Sequence, residues 1–316
     1  MQNTPPEIKA DGPALIFGGP YSNLQATRAL LAEAKRLSIP AEHIVCTGDL
    51  AAYCAEPAAT IALMRESGIV VVQGNCDEQL GEGADTCGCG FAEGSACERL
   101  SDTWYSYANR HISTTDRHWL RDLPYRIDLL IGGRRLAVVH GTPSAINQFI
   151  FATSPSDLKR QELDLVGCDG ILGGHCGLPF TELIGGRLWH NPGVIGMPAN
   201  DGTARVWYSL LIPETSGLRI EHRALDYDHQ TAARMMELEN LPQGYADALS
   251  SGVWPNCDIL PVRERRTQGF ALSPSSVAWT NVAVGRSRRT THRQRCCGLT
   301  CTPKLSRRLH RLTLEF

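Results

Sequence analysis

The sequence predicts an α/β protein, a four-layer αββα sandwich of two mixed β-sheets flanked by helices. Three observations point there. Short apolar runs alternate with helix-period segments through the first third of the chain, which implies parallel strands joined by right-handed crossovers. The stretch from Arg126 to Leu225 is strand-rich, too rich for one sheet between two helical layers. Gly132-Gly133 and Gly185-Gly186 sit between strand-like runs as hairpin turns, so part of the sheet is antiparallel.

Taken in order, Ala14 to Phe17 reads as a strand that ends in the turn Gly18-Gly19-Pro20. Leu24 to Leu37 carries apolar residues at helical spacing (Leu24, Leu30, Leu31, Ala34, Leu37) and stops before Pro40. His43 to Thr47 is a second strand, Ala58 to Glu66 a second helix, and Ile69 to Val72 a β-branched strand suited to burial on both faces. Residues 80–100 have no period and are rich in Gly, Ala and Cys, and a loop of that length inside a compact domain is commonly functional. A helix from Thr115 to Leu123 follows. Then come strands at Arg126–Leu130, Arg135–His140, Gly170–Gly173, Phe180–Ile184, Arg187–His190, Val206–Ile212 and Leu218–Leu225, with helices at Asp157–Val166 and His229–Leu238. The expected organisation is one domain over residues 12–262 with a Cys/Gly-rich insertion at 80–100, then a basic, disordered tail over 263–316.

The chain has 316 residues, 42% hydrophobic and 20% charged, with a formal charge of −2, which excludes a wholly disordered protein. No apolar run approaches the roughly 20 residues that cross a bilayer. The segment MQNTPPEIKADGP has no apolar stretch after Lys9, so no secretory leader is expected and the cytoplasm is the predicted location, with no membrane partner. Residues 286–316 hold nine Lys or Arg against the single acid Glu315. Contact of this tail with nucleic acid is the weaker expectation, because it lacks interleaved aromatics or a binding module. Twelve cysteines without a leader favour metal ligation, redox chemistry or plain buried thiols over a disulfide framework.

The chemistry concentrates at strand ends. Successive strands run into Thr47-Gly48-Asp49, Gly74-Asn75-Cys76-Asp77, His140-Gly141-Thr142-Pro143 and Gly173-Gly174-His175-Cys176-Gly177. Ligands of α/β sheets collect beyond the carboxyl ends of strands. A carboxylate, an amide oxygen and two imidazoles meeting there form a mixed N/O site suited to Mn, Fe, Zn or Ni rather than to Ca²⁺. Each dipeptide alone is an ordinary turn; the ordered run of four is the signal. His190 is expected in the core, and His43, His111, His118, His222 and His229 at packing or surface positions.

That run, GD, GNCD, VVHGTP, GHCGLPF and HNPGVIGMP, resembles the calcineurin-like metallophosphoesterases, in particular the small prokaryotic phosphatases and phosphodiesterases related to diadenosine tetraphosphate hydrolases. The resemblance spans Ala14 to Pro213. It implies the αββα sandwich and a two-metal centre that hydrolyses phosphomonoesters or phosphodiesters through a metal-bound hydroxide. It also implies that one metal is held by Asp49, Asn75, His140 and His175. The second metal of the family needs a DxH motif after the first strand and the second histidine of GHxH. Here those positions are Gly19, Tyr21 and Gly177, so only the shared Asp49 remains. Cys76 stands where relatives carry a general-acid histidine, and Tyr21 is the other candidate beside the leaving group.

One ion per chain is therefore expected, with two if other groups refill the second position. Candidate replacements are Tyr53 or Tyr21 as a phenolate, as in the related purple acid phosphatases, and Cys176, Cys87 and Cys89 as thiolates. Losing about 4 kcal/mol of transition-state stabilisation would slow hydrolysis about a thousandfold. The expected function is a divergent metal-dependent phosphoesterase acting on a phosphate ester. The alternative is a catalytically impaired metal-binding or thiol/redox-sensing scaffold on the same fold.

Overall fold

A computed structural model describes residues 4–280. The basic run at 286–316, with the nucleic-acid contact considered for it, lies outside the described residues. The elements in chain order are β1 Glu7–Ala10, β2 Ala14–Phe17, α1 Leu24–Arg36, β3 Ile44–Cys46, α2 Pro57–Glu66, β4 Val70–Val71, α3 Asn75–Glu82, α4 Ala96–His111, α5 Thr114–Arg121, β5 Arg126–Ile131, β6 Arg134–Val139, α6 Ser156–Val166, β7 Gly170–Leu172, β8 Phe180–Ile184, β9 Arg187–Asn191, β10 Val206–Glu214, β11 Gly217–Leu225, α7 His229–Leu238, α8 Gln243–Ser251, α9 Val262–Arg266 and β12 Ser275–Thr280.

They form two six-stranded mixed sheets, β1-β5-β6-β7-β9-β8 and β12-β11-β10-β2-β3-β4. Strands β2, β3 and β4 pair in parallel, as do β6, β7 and β9, while the β5–β6 and β8–β9 hairpins are antiparallel. Both hairpins turn on their Gly-Gly pair, each glycine at positive φ.

Period-two alternation distributes the side chains among the layers. In β2, Ala14 and Ile16 enter the core between the sheets, while Leu15 and Phe17 face the helices. In β6, Leu136 and Val138 face inward, and Ala137 and Val139 meet Leu163 and Val166 of α6. All four residues of β2 are fully buried, which is why that run lacks polar positions.

The structure departs from the sequence-based boundaries in three places. Part of the aperiodic insertion is helical: α3 extends to Glu82 and α4 begins at Ala96, where the Ser95 side chain caps it by accepting from the Glu98 N–H. Strand β1 adds an edge beside β5. The described fold also continues past residue 262, because β12 pairs with β11 and sinks Trp279 into the inter-sheet core. Arg134 stacks over that indole, and its Nε1 donates to the Gly186 carbonyl at 3.0 Å. No helix among the described residues is long and apolar enough to cross a membrane.

Candidate metal centre

Four polar side chains converge where the two sheets meet at the carboxyl ends of their parallel strands. Asp49 and Asn75 follow β3 and β4 of one sheet; His140 and His175 follow β6 and β7 of the other. Close approach of the first two loops depends on glycine. A Cβ on Gly48 would lie 2.5 Å from the Gly74 nitrogen, and one on Gly74 would lie 2.3 Å from Asp49 Oδ1. Asp49 and His175 both adopt φ of 61°, a left-handed conformation that costs a non-glycine residue on the order of 1 kcal/mol or more.

Asp77 offsets that strain at Asp49. Its carboxylate accepts the backbone N–H groups of Asp49 (2.7 Å), Leu50 (2.9 Å) and Gly74 (2.9 Å), tying the two loops together. Burial and the neighbouring Asp49 carboxylate push the Asp77 carboxyl up to about 7, against those three bonds. Asp77 closes the GNCD motif, where the pattern of ligand types assigns it no role. Its place three residues into a helix that starts at a glycine was the available signal.

The four heads meet at His140 Nε2. Around it lie Asn75 Oδ1 at 3.0 Å, His175 Nδ1 at 3.1 Å and Asp49 Oδ2 at 3.3 Å. His140 Nδ1 donates to the Thr47 carbonyl at 2.6 Å, since a carbonyl can only accept, so a neutral ring turns its Nε2 lone pair into the ring of heads. Asn75 is oriented likewise: Nδ2 donates to the Cys87 carbonyl at 2.9 Å, which leaves Oδ1 facing His140. A proton on His140 Nε2 could serve one of the three facing acceptors. A cation at their centre would serve all of them, and two imidazoles with two oxygens suit a transition metal. Asp49, His140 and His175 each offer a ligand atom, all within 4.8 Å of one another and all buried.

The electrostatics have the same sense. Burial opposes the Asp49 charge, yet His140 and His175 hold the carboxyl below its ordinary value. Burial likewise opposes charge on His140, and Asp49 and the Thr47 carbonyl outweigh it, raising the imidazole. Burial and the facing His140 push His175 down to about 3, so it stays neutral with a lone pair to give.

The remaining candidates are divided. Tyr21, Tyr53, Cys89 and Cys176 line the cleft beside Asp49 and His175, while the Cys76 thiol is buried next to the ligand heads, beside the Asp49 carboxylate and 3.5 Å from Asn75 Nδ2. Burial raises the Tyr21 and Tyr53 phenols and the Cys76 thiol well above their ordinary values, so each keeps its proton. Cys176 takes an N–H from Asn191 at 3.2 Å and is pushed up to about 12 by burial. Cys87 and Cys89 are bonded to each other in a disulfide, which departs from their reading as replacement thiolate ligands. Their Cα atoms, 5.3 Å apart, bring the two sulfurs within each other's reach, and a bonded pair offers no thiolate. His190 and His222 are buried and stacked at 4.7 Å, bridged by the Thr181 hydroxyl, as suits a core polar pair.

Residues 21–212 match the calcineurin-like phosphoesterase superfamily domain. The chain belongs to that superfamily. It is 25% identical over 249 residues to an uncharacterised protein, MJ0912, of Methanocaldococcus jannaschii, covering 73% of this chain and 95% of the relative. Its fold is similar to that of the hypothetical protein PH1004 of Pyrococcus horikoshii OT3, with a TM-score of 0.62 at 19% identity over 77% of this chain and 99% of that one. A metallophosphoesterase from Sphaerobacter thermophilus is similar at a TM-score of 0.60 and 21% identity, covering 76% of this chain and 99% of that one. The superfamily resemblance and its αββα sandwich, both expected from the motif order, are thereby borne out.

Proposed function

We propose that this member of the superfamily is a metal-dependent phosphoric ester hydrolase that works with one cation, of Mn, Fe, Zn or Ni type, held by Asp49, Asn75, His140 and His175. The observation that carries this reading is the set of three acceptors around His140 Nε2, more than one proton can satisfy. A transition metal bound there supplies Lewis acidity, lowering the pKa of a water and drawing charge from a phosphoryl oxygen. The chain's own residues do the rest. Thr47 fixes the His140 tautomer, the Cys87 carbonyl fixes the Asn75 amide, and Asp77 holds the Asp49 loop in its left-handed turn. The buried phenol of Tyr21, still protonated and on the cleft wall with Asp49, is placed to donate toward a leaving oxygen. Cys76, buried beside the Asp49 carboxylate and Asn75, is the second candidate donor in this reading.

The test is release of nitrophenol from p-nitrophenyl phosphate and bis-p-nitrophenyl phosphate by the full chain. Activity should require added Mn²⁺, vanish with chelator, and fall at least about a thousandfold in His140→Ala, the equivalent of about 4 kcal/mol. Stoichiometric metal binding without turnover of either ester would overturn the hydrolase reading and leave the alternative, a metal-binding scaffold.

A further inference from the structure

The site has two unlike sides. On one, Asp49, Asn75, His140 and His175 converge. The other side, which the motif order would have given to a second cation, is lined by aromatic rings. The Tyr21 ring lies across Gly19 so closely that a Cβ there would be 2.4 Å from its Cζ. The Trp254 indole stands over Gly177, where a Cβ would touch it at 3.7 Å. Trp254 is fixed in place, its N–H donating to Asn200 Oδ1 at 2.8 Å and its Nε1 to the Pro198 carbonyl at 2.7 Å. Tyr53 packs edge-on against Tyr21 and Tyr245, each at 4.9 Å. Across from them, Phe149 lies on the His175 ring at 4.1 Å. These rings line an open cleft that reaches Asp49 and His175.

Among the described residues, no lysine or arginine lines this cleft. That limits the charge it can accept. While the metal's water keeps its proton, one divalent cation with the Asp49 carboxylate and neutral histidines leaves a single positive charge. A phosphodiester brings one negative charge and closes the balance. A phosphomonoester dianion or a polyphosphate would leave uncompensated anionic charge among aromatic walls, which is costly to bury. Rings of this kind instead accept flat apolar groups by stacking and edge contacts.

We propose that the side vacated by the second metal is a subsite for a planar aromatic group, and that the substrate is a monoanionic phosphodiester carrying such a group, an aryl or a nucleoside ester. This rests on the one-cation reading above and adds the substrate class to it. Tyr21 and Trp254 are its specificity-determining residues: they occupy the space of the lost ligands and present ring surface in its place.

Binding tests it apart from turnover. The Mn²⁺-loaded full chain is titrated by calorimetry with diphenyl phosphate, the 5′-phenyl ester of thymidylate, dimethyl phosphate and phenyl phosphate. The two aromatic diesters should bind at least tenfold more tightly than dimethyl phosphate, which lacks the ring, and than phenyl phosphate, which carries the second charge. The tighter of the two aromatic diesters identifies the group as aryl or nucleoside. Trp254→Leu should weaken diphenyl phosphate at least fivefold and leave dimethyl phosphate unchanged. Asn256→Lys, which adds a cation at the cleft wall, should shift the preference at least fivefold toward phenyl phosphate and serves should the Trp254 variant not fold. Phenyl phosphate bound as tightly as diphenyl phosphate by the wild type, or no response to either substitution, overturns the subsite. The expected binding pattern without any turnover keeps the subsite and refutes the hydrolase reading. Turnover without the binding pattern does the reverse.

Discussion

The contact between Gly19 and Tyr21 can be tested by a double-mutant cycle on stability. A Cβ built on Gly19 would lie 2.4 to 2.8 Å from three atoms of the Tyr21 ring, and Gly19 has φ of +35°. Gly19→Ala therefore meets two penalties. Overpacking against a buried ring costs about 1–3 kcal/mol, and a positive φ on a residue with a Cβ costs about 1 kcal/mol more. The expected loss is about 2–4 kcal/mol, read as a drop in the urea midpoint of about 1–2 M for an m-value near 2 kcal/mol/M. In a Tyr21→Ala background the ring is gone and only the backbone penalty remains, about 1 kcal/mol. The two substitutions should thus be less than additive by about 1–3 kcal/mol. If Gly19→Ala costs the same with and without the Tyr21 ring, the ring does not occupy the space of the missing ligand. The account of the vacated side then fails with it.

Three other perturbations follow from particular contacts. Asp77→Asn keeps the shape but turns an amide NH₂ toward backbone donors, leaving at least one buried N–H unpaired; about 3 kcal/mol of stability should be lost, with reduced manganese per chain by elemental analysis. His222 is held down to about 4 by burial from its ordinary 6.5, so the native state holds fewer protons than the unfolded chain between those values. His222 should therefore contribute a loss of about 3 kcal/mol in stability as pH drops from about 6.5 toward about 4, the part of the slope that His222→Gln removes in urea titrations at successive pH values. Because Cys87 and Cys89 bond to each other and lie outside the ring of four heads, Cys87→Ser/Cys89→Ser should leave metal content per chain unchanged, and its loss in that variant would return the two sulfurs to the ligand set.

Much of the fold was legible because its signals are local. The β2 run Ala14–Phe17 and the α1 period show in a window of a few residues, and the Gly-Gly turns set two hairpins almost to the residue. The elements that escaped notice draw their stability from elsewhere. Strand β12, SSVAWT, is polar except where Trp279 reaches the inter-sheet core, and only pairing with β11 makes it a strand. Helix α4 begins among glycines and is mostly polar along its length, yet it buries Trp104, Tyr105 and Tyr107 against the helical face of the sheet.

The ring of four heads was legible for a different reason. Each head lies within four residues of a strand's carboxyl end; each sheet brings one pair together along its edge, and the packing of the two sheets brings the pairs to one place. The aromatic wall was not legible in the same way. Tyr53, Tyr245 and Trp254 come from separate loops and helices, and nothing in their local sequence says they share a cleft. Cys76, which adjoins Asn75 in sequence, also stays beside it in the fold: in the first turn of α3 its thiol is buried against Asn75 and the Asp49 carboxylate.

The most direct measurement is an anomalous-scattering map from crystals of the full chain grown with Mn²⁺. One manganese peak per chain, within coordination distance of Asp49, Asn75, His140 and His175 together, is the expected result. Two peaks, or a single peak away from those four side chains, would contradict a one-cation centre.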